Sequence, residues 1–119
     1  MAKTYLSPSD VQKIVEAAHS ERDKLIIQLL SLTGMRVTEL IELVVDNIGD
    51  DVLTIRHLKS RGEKFRQVPL FPALATSLHV YTQNMQPAQR LFPITRQHVG
   101  VIIRDTAARS GLKGKVMTH

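Results

Sequence analysis

The sequence contains no cysteine, which excludes disulfide bonds, thiolate nucleophiles and cysteine-rich zinc sites. It also has no uninterrupted apolar stretch near the roughly 20 residues that a bilayer-spanning helix needs. The first ten residues, MAKTYLSPSD, lack the basic segment and the apolar run of a secretory signal. We therefore expect a protein without membrane segments that works in the cytoplasm.

What the sequence does contain is an uneven distribution of charge. The 119 residues carry a net charge of +5, with 43% hydrophobic and 23% charged residues, which is typical of one globular domain over residues 1–119. Residues 1–51 hold 5 basic and 9 acidic side chains, whereas residues 52–119 hold 11 basic and 2 acidic ones, a net charge of +9. A basic block confined to one part of the chain favours a phosphate-binding face over a merely solubilising surface. Nucleic acid is therefore the expected partner.

Apolar residues at helical spacing predict five helices. The first begins at Pro8 behind an N-cap at Ser7, and the second covers about residues 21–32 and is apolar around most of its circumference. The third follows Gly34, the fourth starts at Pro72, and the last runs from an N-cap at Thr95 to a stop at Gly111. Their expected buried positions include Val37, Leu40, Ile41 and Val44; Leu74, Leu78, Tyr81 and Met85; and Val99, Ile102, Ile103 and Ala107.

Between the third and fourth helices the pattern changes to that of a β-hairpin. DVLTIRHLK, residues 51–59, is rich in β-branched and aliphatic residues, SRGE forms the turn, and KFRQVPL returns as the second strand. Pro69 closes that strand because proline cannot donate a hydrogen bond to the ladder. The sequence therefore predicts a mainly α protein with a small antiparallel β-sheet, an α+β fold.

The stretch SLTGMRVTELIEL, residues 31–43, places an arginine where one helix ends and the next begins. Gly34 can adopt the left-handed conformation that ends a helix, so Arg36 falls in or near the first turn of the next one. A guanidinium beside the N–H groups of a new helix is suited to binding an anion. Glu39, three residues later, lies on the same face and can hold that guanidinium. The residues alone leave two interpretations, an anion-binding arginine or a surface arginine paired with Glu39.

Four stretches, which follow one another along the chain in the same order as in the family, resemble signatures of the tyrosine recombinase family, which is also called the phage integrase family. TGMRVTELIEL resembles the pattern T-G-x-R-x-x-E-L, and YLSPSDVQKIVEAA resembles the first helix of the catalytic domain. HLKSRGEKFRQVPL resembles the hairpin with a basic turn, and ITRQHVGVIIRDTAARSGL resembles a later DNA-facing helix. The resemblance covers nearly the whole chain and implies the fold of this family of DNA breaking and rejoining enzymes.

The resemblance also implies a reaction. In this family a tyrosine hydroxyl attacks a phosphodiester, which gives a 3′-phosphotyrosine and a 5′-hydroxyl, and no metal or other cofactor is needed. Arg36 matches the first catalytic arginine and Glu39 the supporting acidic residue. The hairpin supplies a lysine as general acid toward the leaving oxygen, for which Lys59 is the first choice and Arg61 and Lys64 are the alternatives. A second interpretation of this basic turn is that it only contacts backbone phosphates.

Further positions match DNA-contacting or catalytic parts of the family. His119 corresponds to the first histidine of the motif H-x-x-R, with the alternative that the motif begins slightly later. The expected DNA-binding residues lie on the hairpin and at the start of the last helix: Arg61, Lys64, Arg66, Thr95, Arg96 and Gln97. Double-stranded DNA is the implied substrate, and a tetrameric synaptic complex on DNA is the implied assembly of the parent protein.

The chain departs from the family pattern by matching no nucleophilic tyrosine. Tyr5 lies near the first helix and Tyr81 on a packing face, and neither matches the attacking residue. We expect residues 1–119 to be the leading part of a recombinase catalytic domain of bacterial, archaeal or phage origin, without its core-binding domain and its tyrosine segment, and inactive alone. The alternative is a DNA-binding module without chemistry.

Overall fold

A computed structural model describes residues 8–59 and 62–111 of the protein. Within these ranges the chain forms five α-helices and two β-strands: α1 (Pro8–Ala17), α2 (Glu21–Thr33), α3 (Val37–Glu42), β1 (Val52–Lys59), β2 (Gly62–Pro69), α4 (Pro72–Thr82) and α5 (Arg96–Ser110). The predicted mainly helical fold with a small antiparallel sheet is confirmed. The predicted N-cap at Ser7 lies outside the described residues.

Helix α2 is the centre of the core, as its sequence predicts. Its N-cap is Ser20, whose hydroxyl oxygen accepts a hydrogen bond of 3.2 Å from the backbone N–H of Asp23. The aliphatic side chains of α2 that are at most 1% exposed are Leu25, Ile26, Ile27, Leu29 and Leu30. Burying each of them stabilises the fold by roughly 1.5–3 kcal/mol. The other four helices all pack against α2.

The junction between α2 and α3 has the geometry that its glycine predicts. Gly34 adopts a left-handed conformation with φ 71° and ψ 14°, which ends α2. The next residue, Met35, is fully buried, and its backbone N–H donates to the Thr33 hydroxyl at 3.3 Å. Arg36 is then the N-cap of α3 and is exposed. The buried methionine anchors the corner, so the arginine beside it has a fixed backbone position.

Replacing Gly34 with alanine should destabilise the protein by about 1–2 kcal/mol, the cost of a left-handed backbone for a residue with a Cβ atom. A Cβ atom at this position would meet no heavy atom of the surrounding residues within 4 Å. The loss of stability therefore comes from the local backbone conformation and not from a clash with the surrounding structure. Gly100→Ala is the matched control, because Gly100 lies inside α5 and its Cβ atom would meet only Arg104 Nη1 at 3.8 Å. That control should stabilise by roughly 0.5–1 kcal/mol. Denaturant unfolding measures the free energy of unfolding of both variants, which should fall for Gly34→Ala and rise for Gly100→Ala. Changes of the same sign and size would contradict the prediction.

Helix α3 is shorter than its apolar pattern predicts. It ends at Glu42, so Val44 lies beyond it. The backbone after Glu42 pairs instead with the connection between α4 and α5: the Leu91 N–H donates to the Leu43 carbonyl, and the Val45 N–H donates to the Gln89 carbonyl, each at 3.0 Å. These bonds compete with further helical bonds and end α3 early. A short 3₁₀ turn, Val45–Asn47, follows.

The two strands form an antiparallel hairpin whose register defines its faces. Ile55 pairs with Arg66, and Leu53 pairs with Val68. Leu53 and Ile55 are fully buried, so this face of the hairpin packs on the core. Directly opposed residues share a face, which places Arg66 on the inner side. The second strand begins at Gly62, two residues earlier than predicted, and ends at Pro69 as predicted.

Helix α5 has the predicted ends. The Thr95 hydroxyl accepts a hydrogen bond of 3.0 Å from the His98 N–H, and Gly111 ends the helix with φ 80°. Val99, Ile102 and Thr106 are buried, whereas the predicted Ile103 and Ala107 are half-buried. Along residues 8–59 and 62–111, we find no helix long and apolar enough to cross a membrane.

Candidate active site

Arg36 stands at the corner where α3 starts. Its backbone is extended, with φ −83° and ψ 157°, and its N–H donates a hydrogen bond of 2.8 Å to Glu39 Oε1. A glutamate at the third helical position commonly reaches back to the N-cap N–H in this way. The contact holds the backbone of Arg36 while the residue itself stays exposed.

Glu39 pairs with a different arginine from the one that the sequence suggests. Arg66 of β2 donates from Nη1 to Glu39 Oε2 at 2.7 Å and from Nη2 to Glu39 Oε1 at 3.0 Å. The Glu39 side chain is only 6% exposed, whereas that of Arg66 is 38% exposed. The hydrogen bonds to Glu39 raise the pKa of Arg66, and partial burial opposes this shift. The expected pairing of Glu39 with the Arg36 guanidinium is replaced by a bidentate ion pair with the hairpin.

One carboxylate oxygen therefore connects the start of α3 with strand β2. Glu39 Oε1 accepts from the backbone N–H of Arg36 and from the guanidinium of Arg66. A bidentate pair with a buried carboxylate has a fixed geometry, so it sets the position of the hairpin relative to the start of α3. The exposed Arg36 is thereby held next to the basic hairpin.

Other hairpin cations occupy both faces. Lys64 is exposed, lies opposite His57 in the register and shares a face with Arg66. Arg56 lies on the other face and has Nη2 at 3.7 Å from Glu42 Oε2, in a pair whose side chains are 42% and 46% exposed. Exposed pairs of this kind contribute little stability.

The remaining expected hairpin residues are only partly covered by the structure. The backbone of Lys59 pairs with Gly62 at the last rung of the ladder. The side chain of Lys59 and the whole of Arg61 lie outside the described residues. The choice among Lys59, Arg61 and Lys64 as the hairpin acid therefore stays a prediction.

His119 and Tyr5 also lie outside the described residues, whereas Tyr81 is described. Its ring is half-buried, with its centroid 5.8 Å from that of Phe92. Burial raises the pKa of Tyr81, and the charge of Arg22 opposes that shift. A tyrosine that is packed and harder to deprotonate is poorly suited to attack a phosphodiester.

The start of α5 carries the second group of expected DNA contacts. The Thr95 hydroxyl is used as the helix cap, and Arg96 and Gln97 follow it, exposed, in the first turn. The amino end of a helix favours anions, so a phosphate can bind beside these side chains. Helix α5 packs against α3, the helix that carries Glu39. In the part of the chain that the structure covers, no three histidine, aspartate or glutamate side chains cluster as a metal site would require.

The inward position of Arg66 is signalled in the sequence by the alternation of residues along β2. Residues alternate between the two faces of a strand, so Arg66 shares a face with Val68. Val68 pairs with the buried Leu53. An arginine on the apolar side of a strand needs a buried acceptor, because unpaired buried charge is costly.

The chain is similar to proteins of one family. The sequence model of the Phage integrase family matches residues 4–119. A protein of Pseudothermotoga lettingae named tyrosine recombinase is 31% identical over 122 residues, which cover 97% of this chain and 43% of that protein.

Two solved structures have a similar fold. The crystal structure of XerA recombinase has a TM-score of 0.82 and 24% identity, and the match covers 100% of this chain and 47% of the other. A lambda integrase dimer bound to a COC′ core site has a TM-score of 0.71 and 22% identity over 97% of this chain and 47% of the other. The chain thus spans under half the length of each of these proteins, and the expected recombinase fold is confirmed.

Proposed function

Because the chain belongs to the phage integrase family, we propose that it forms part of the catalytic domain of a site-specific DNA recombinase or integrase. The parent enzyme would cleave and rejoin DNA strands through a 3′-phosphotyrosine intermediate. This proposal depends on one observation: the Glu39 carboxylate accepts hydrogen bonds both from the backbone N–H of Arg36 and from Arg66 of the basic hairpin. This arrangement presents an exposed arginine at a fixed corner between a helix and a hairpin.

In the proposed mechanism Arg36 stabilises the phosphoryl group under attack. Negative charge builds up on the non-bridging oxygens as the phosphorus becomes five-coordinate, and a fixed guanidinium meets that charge without reorganising. An arginine suits this task because its planar fork of donors can bind two oxygens at once. The anchored backbone of Arg36 supports this role, since it fixes the point from which the side chain extends.

For the leaving 5′-oxygen, we propose a general acid on the hairpin. Lys59 is the first candidate, and Arg61 and Lys64 are the alternatives. A lysine that loses solvent at the cleaved linkage can release its proton to the leaving oxygen. His119 would hold the phosphate or handle a proton in the same site.

Double-stranded DNA is the proposed partner. Lys64 of the hairpin and Arg96 and Gln97 of α5 are exposed, as phosphate and groove contacts must be. A similar fold occurs in a lambda integrase dimer bound to a core site, which supports a DNA substrate for this chain as well. A tetramer on DNA and a cytoplasmic location complete the proposal.

The attacking tyrosine, in this proposal, belongs to a part of the enzyme outside these 119 residues. Tyr81 does not qualify because its ring packs against Phe92. Residues 1–119 alone should then bind DNA without cleaving it.

The experiment that tests the proposal is covalent complex formation by the full-length protein on a nicked suicide substrate. A recombinase should leave a denaturation-resistant adduct on the 3′ side of the break. The alternative, a DNA-binding module without chemistry, predicts salt-dependent DNA affinity and no adduct. Salt-dependent binding without any adduct, on a substrate that carries the recognised site, would refute the recombinase proposal.

A further inference from the structure

The sequence suggests Arg36 and Glu39 as partners, yet in the structure the Glu39 carboxylate pairs with Arg66. Side chains three residues apart near the start of a helix are close enough to form an ion pair. Here both carboxylate oxygens of Glu39 accept from Arg66, and one of them also accepts from the Arg36 backbone N–H. The Glu39 carboxylate is therefore paired with Arg66 of the hairpin, in the place that the guanidinium of Arg36 could occupy.

We propose that Arg66 is a positioning residue that occupies the Glu39 carboxylate and so leaves the Arg36 guanidinium available for the DNA phosphate. This inference rests on the proposed function of Arg36 in strand cleavage. It assigns Arg66 a different role from the phosphate contact that the sequence suggests.

The burial of Glu39 favours this competition. Its side chain is 6% exposed, and a buried carboxylate needs a cationic partner or must take up a proton. If the partner on β2 is removed, the guanidinium three residues earlier on the same corner becomes the replacement. An arginine bound to a carboxylate has fewer donors and less net charge to offer to a phosphate.

The pairing of Arg66 also argues against a direct role in DNA affinity. Its positive charge is balanced by the Glu39 carboxylate at 2.7 Å, so binding DNA there would release little counterion. Lys64, on the same face, is exposed and provides the matching phosphate-contact candidate. The salt dependence of DNA binding can therefore tell the two roles apart.

The first test measures single-turnover strand cleavage by the full-length protein with saturating DNA. Arg66→Gln should lower the cleavage rate constant on the order of a hundredfold, as expected when a preorganised donor is lost. Adding Glu39→Gln removes the competing charge but keeps an oxygen for the Arg36 N–H. The double variant should therefore cleave about tenfold or more faster than Arg66→Gln, within the range of measured coupling between contacting residues. Arg56→Gln is the control, because it removes a hairpin arginine from an exposed pair.

The second test compares salt slopes, that is, the change of log affinity with log salt concentration. Lys64→Gln should reduce the magnitude of the slope by about 1, the value for one lost phosphate contact. Arg66→Gln should leave the slope at the wild-type value. A slope reduced by about 1 in Arg66→Gln would make it a phosphate contact and overturn the inference.

The cleavage rate of the double variant, Arg66→Gln with Glu39→Gln, provides the other decisive outcome. A double variant that cleaves no faster than Arg66→Gln would overturn the inference, because the carboxylate would then not be the cause of the loss. If Arg66→Gln fails to fold by circular dichroism, the folded double variant is compared with the wild type. Cleavage within about tenfold of wild type supports the inference, and any greater loss overturns it. If the wild type forms the adduct and Arg66→Gln is fully active, only this inference is refuted. If the wild type forms no adduct, the proposed function is refuted.

Discussion

Full-length protein with Arg36 replaced by alanine should form its covalent DNA complex on the order of a hundred to a thousand times more slowly than the wild type. Removal of one preorganised donor at a developing oxyanion has an effect of that size. The guanidinium is the part that matters, because the backbone N–H that binds Glu39 is retained in the variant. Single-turnover cleavage of a suicide substrate measures the rate without the complication of religation.

Two further variants define what the loss means. Arg36→Lys keeps a positive charge but lacks the planar fork, so we expect a rate between those of the wild type and the alanine variant. Arg22→Ala is the control, since Arg22 pairs with its neighbour Asp23 at 3.1 Å at the start of α2. It should cleave at nearly the wild-type rate. A wild-type yield of covalent complex from Arg36→Ala would remove this arginine from the mechanism.

Replacing Phe92 with alanine should destabilise the protein by about 3–5 kcal/mol, the usual cost of deleting a fully buried aromatic ring. Phe92 is 0% exposed, and its ring lies against that of Tyr81 on α4. A domain of this size has a total stability of about 5–15 kcal/mol, so the variant loses a large share of it. Denaturant unfolding followed by circular dichroism measures the loss.

Phe71 provides the matched control, because it is the same residue type with 60% exposure. Phe71→Ala should change stability by about 0.5 kcal/mol or less, as is usual at exposed positions. A cost below about 1 kcal/mol for Phe92→Ala would show that the ring is not part of the rigid core.

Local signals in the sequence determined most of the secondary structure. Gly34 and Gly111 end their helices in the left-handed conformation, and Thr95 caps α5 through its hydroxyl, as their residue types predict. These features depend on steric limits and hydrogen bonds within a few residues, which the sequence shows directly. The same holds for the hairpin, whose β-branched and aliphatic residues and turn residues lie close together in the chain.

Local signals did not predict where α3 ends. The apolar spacing continues to Val44, yet the helix ends at Glu42. The competing hydrogen bonds come from residues 87–91, which lie more than forty positions away in the chain. A distant backbone segment with the right geometry outweighed the local helical preference, and the sequence does not show how near it comes.

The partner of Glu39 was likewise decided by the tertiary structure. The sequence by itself placed an arginine at the helix corner, a glutamate three residues later and a basic hairpin downstream. Whether that glutamate binds the guanidinium of Arg36 or that of Arg66, 27 residues away, depends on how the hairpin docks on α3. Proximity along the helix favours the first, but burial of the carboxylate against the inner face of β2 selects the second. Charge pairing follows distance and burial in three dimensions, and those exist only once the chain has folded.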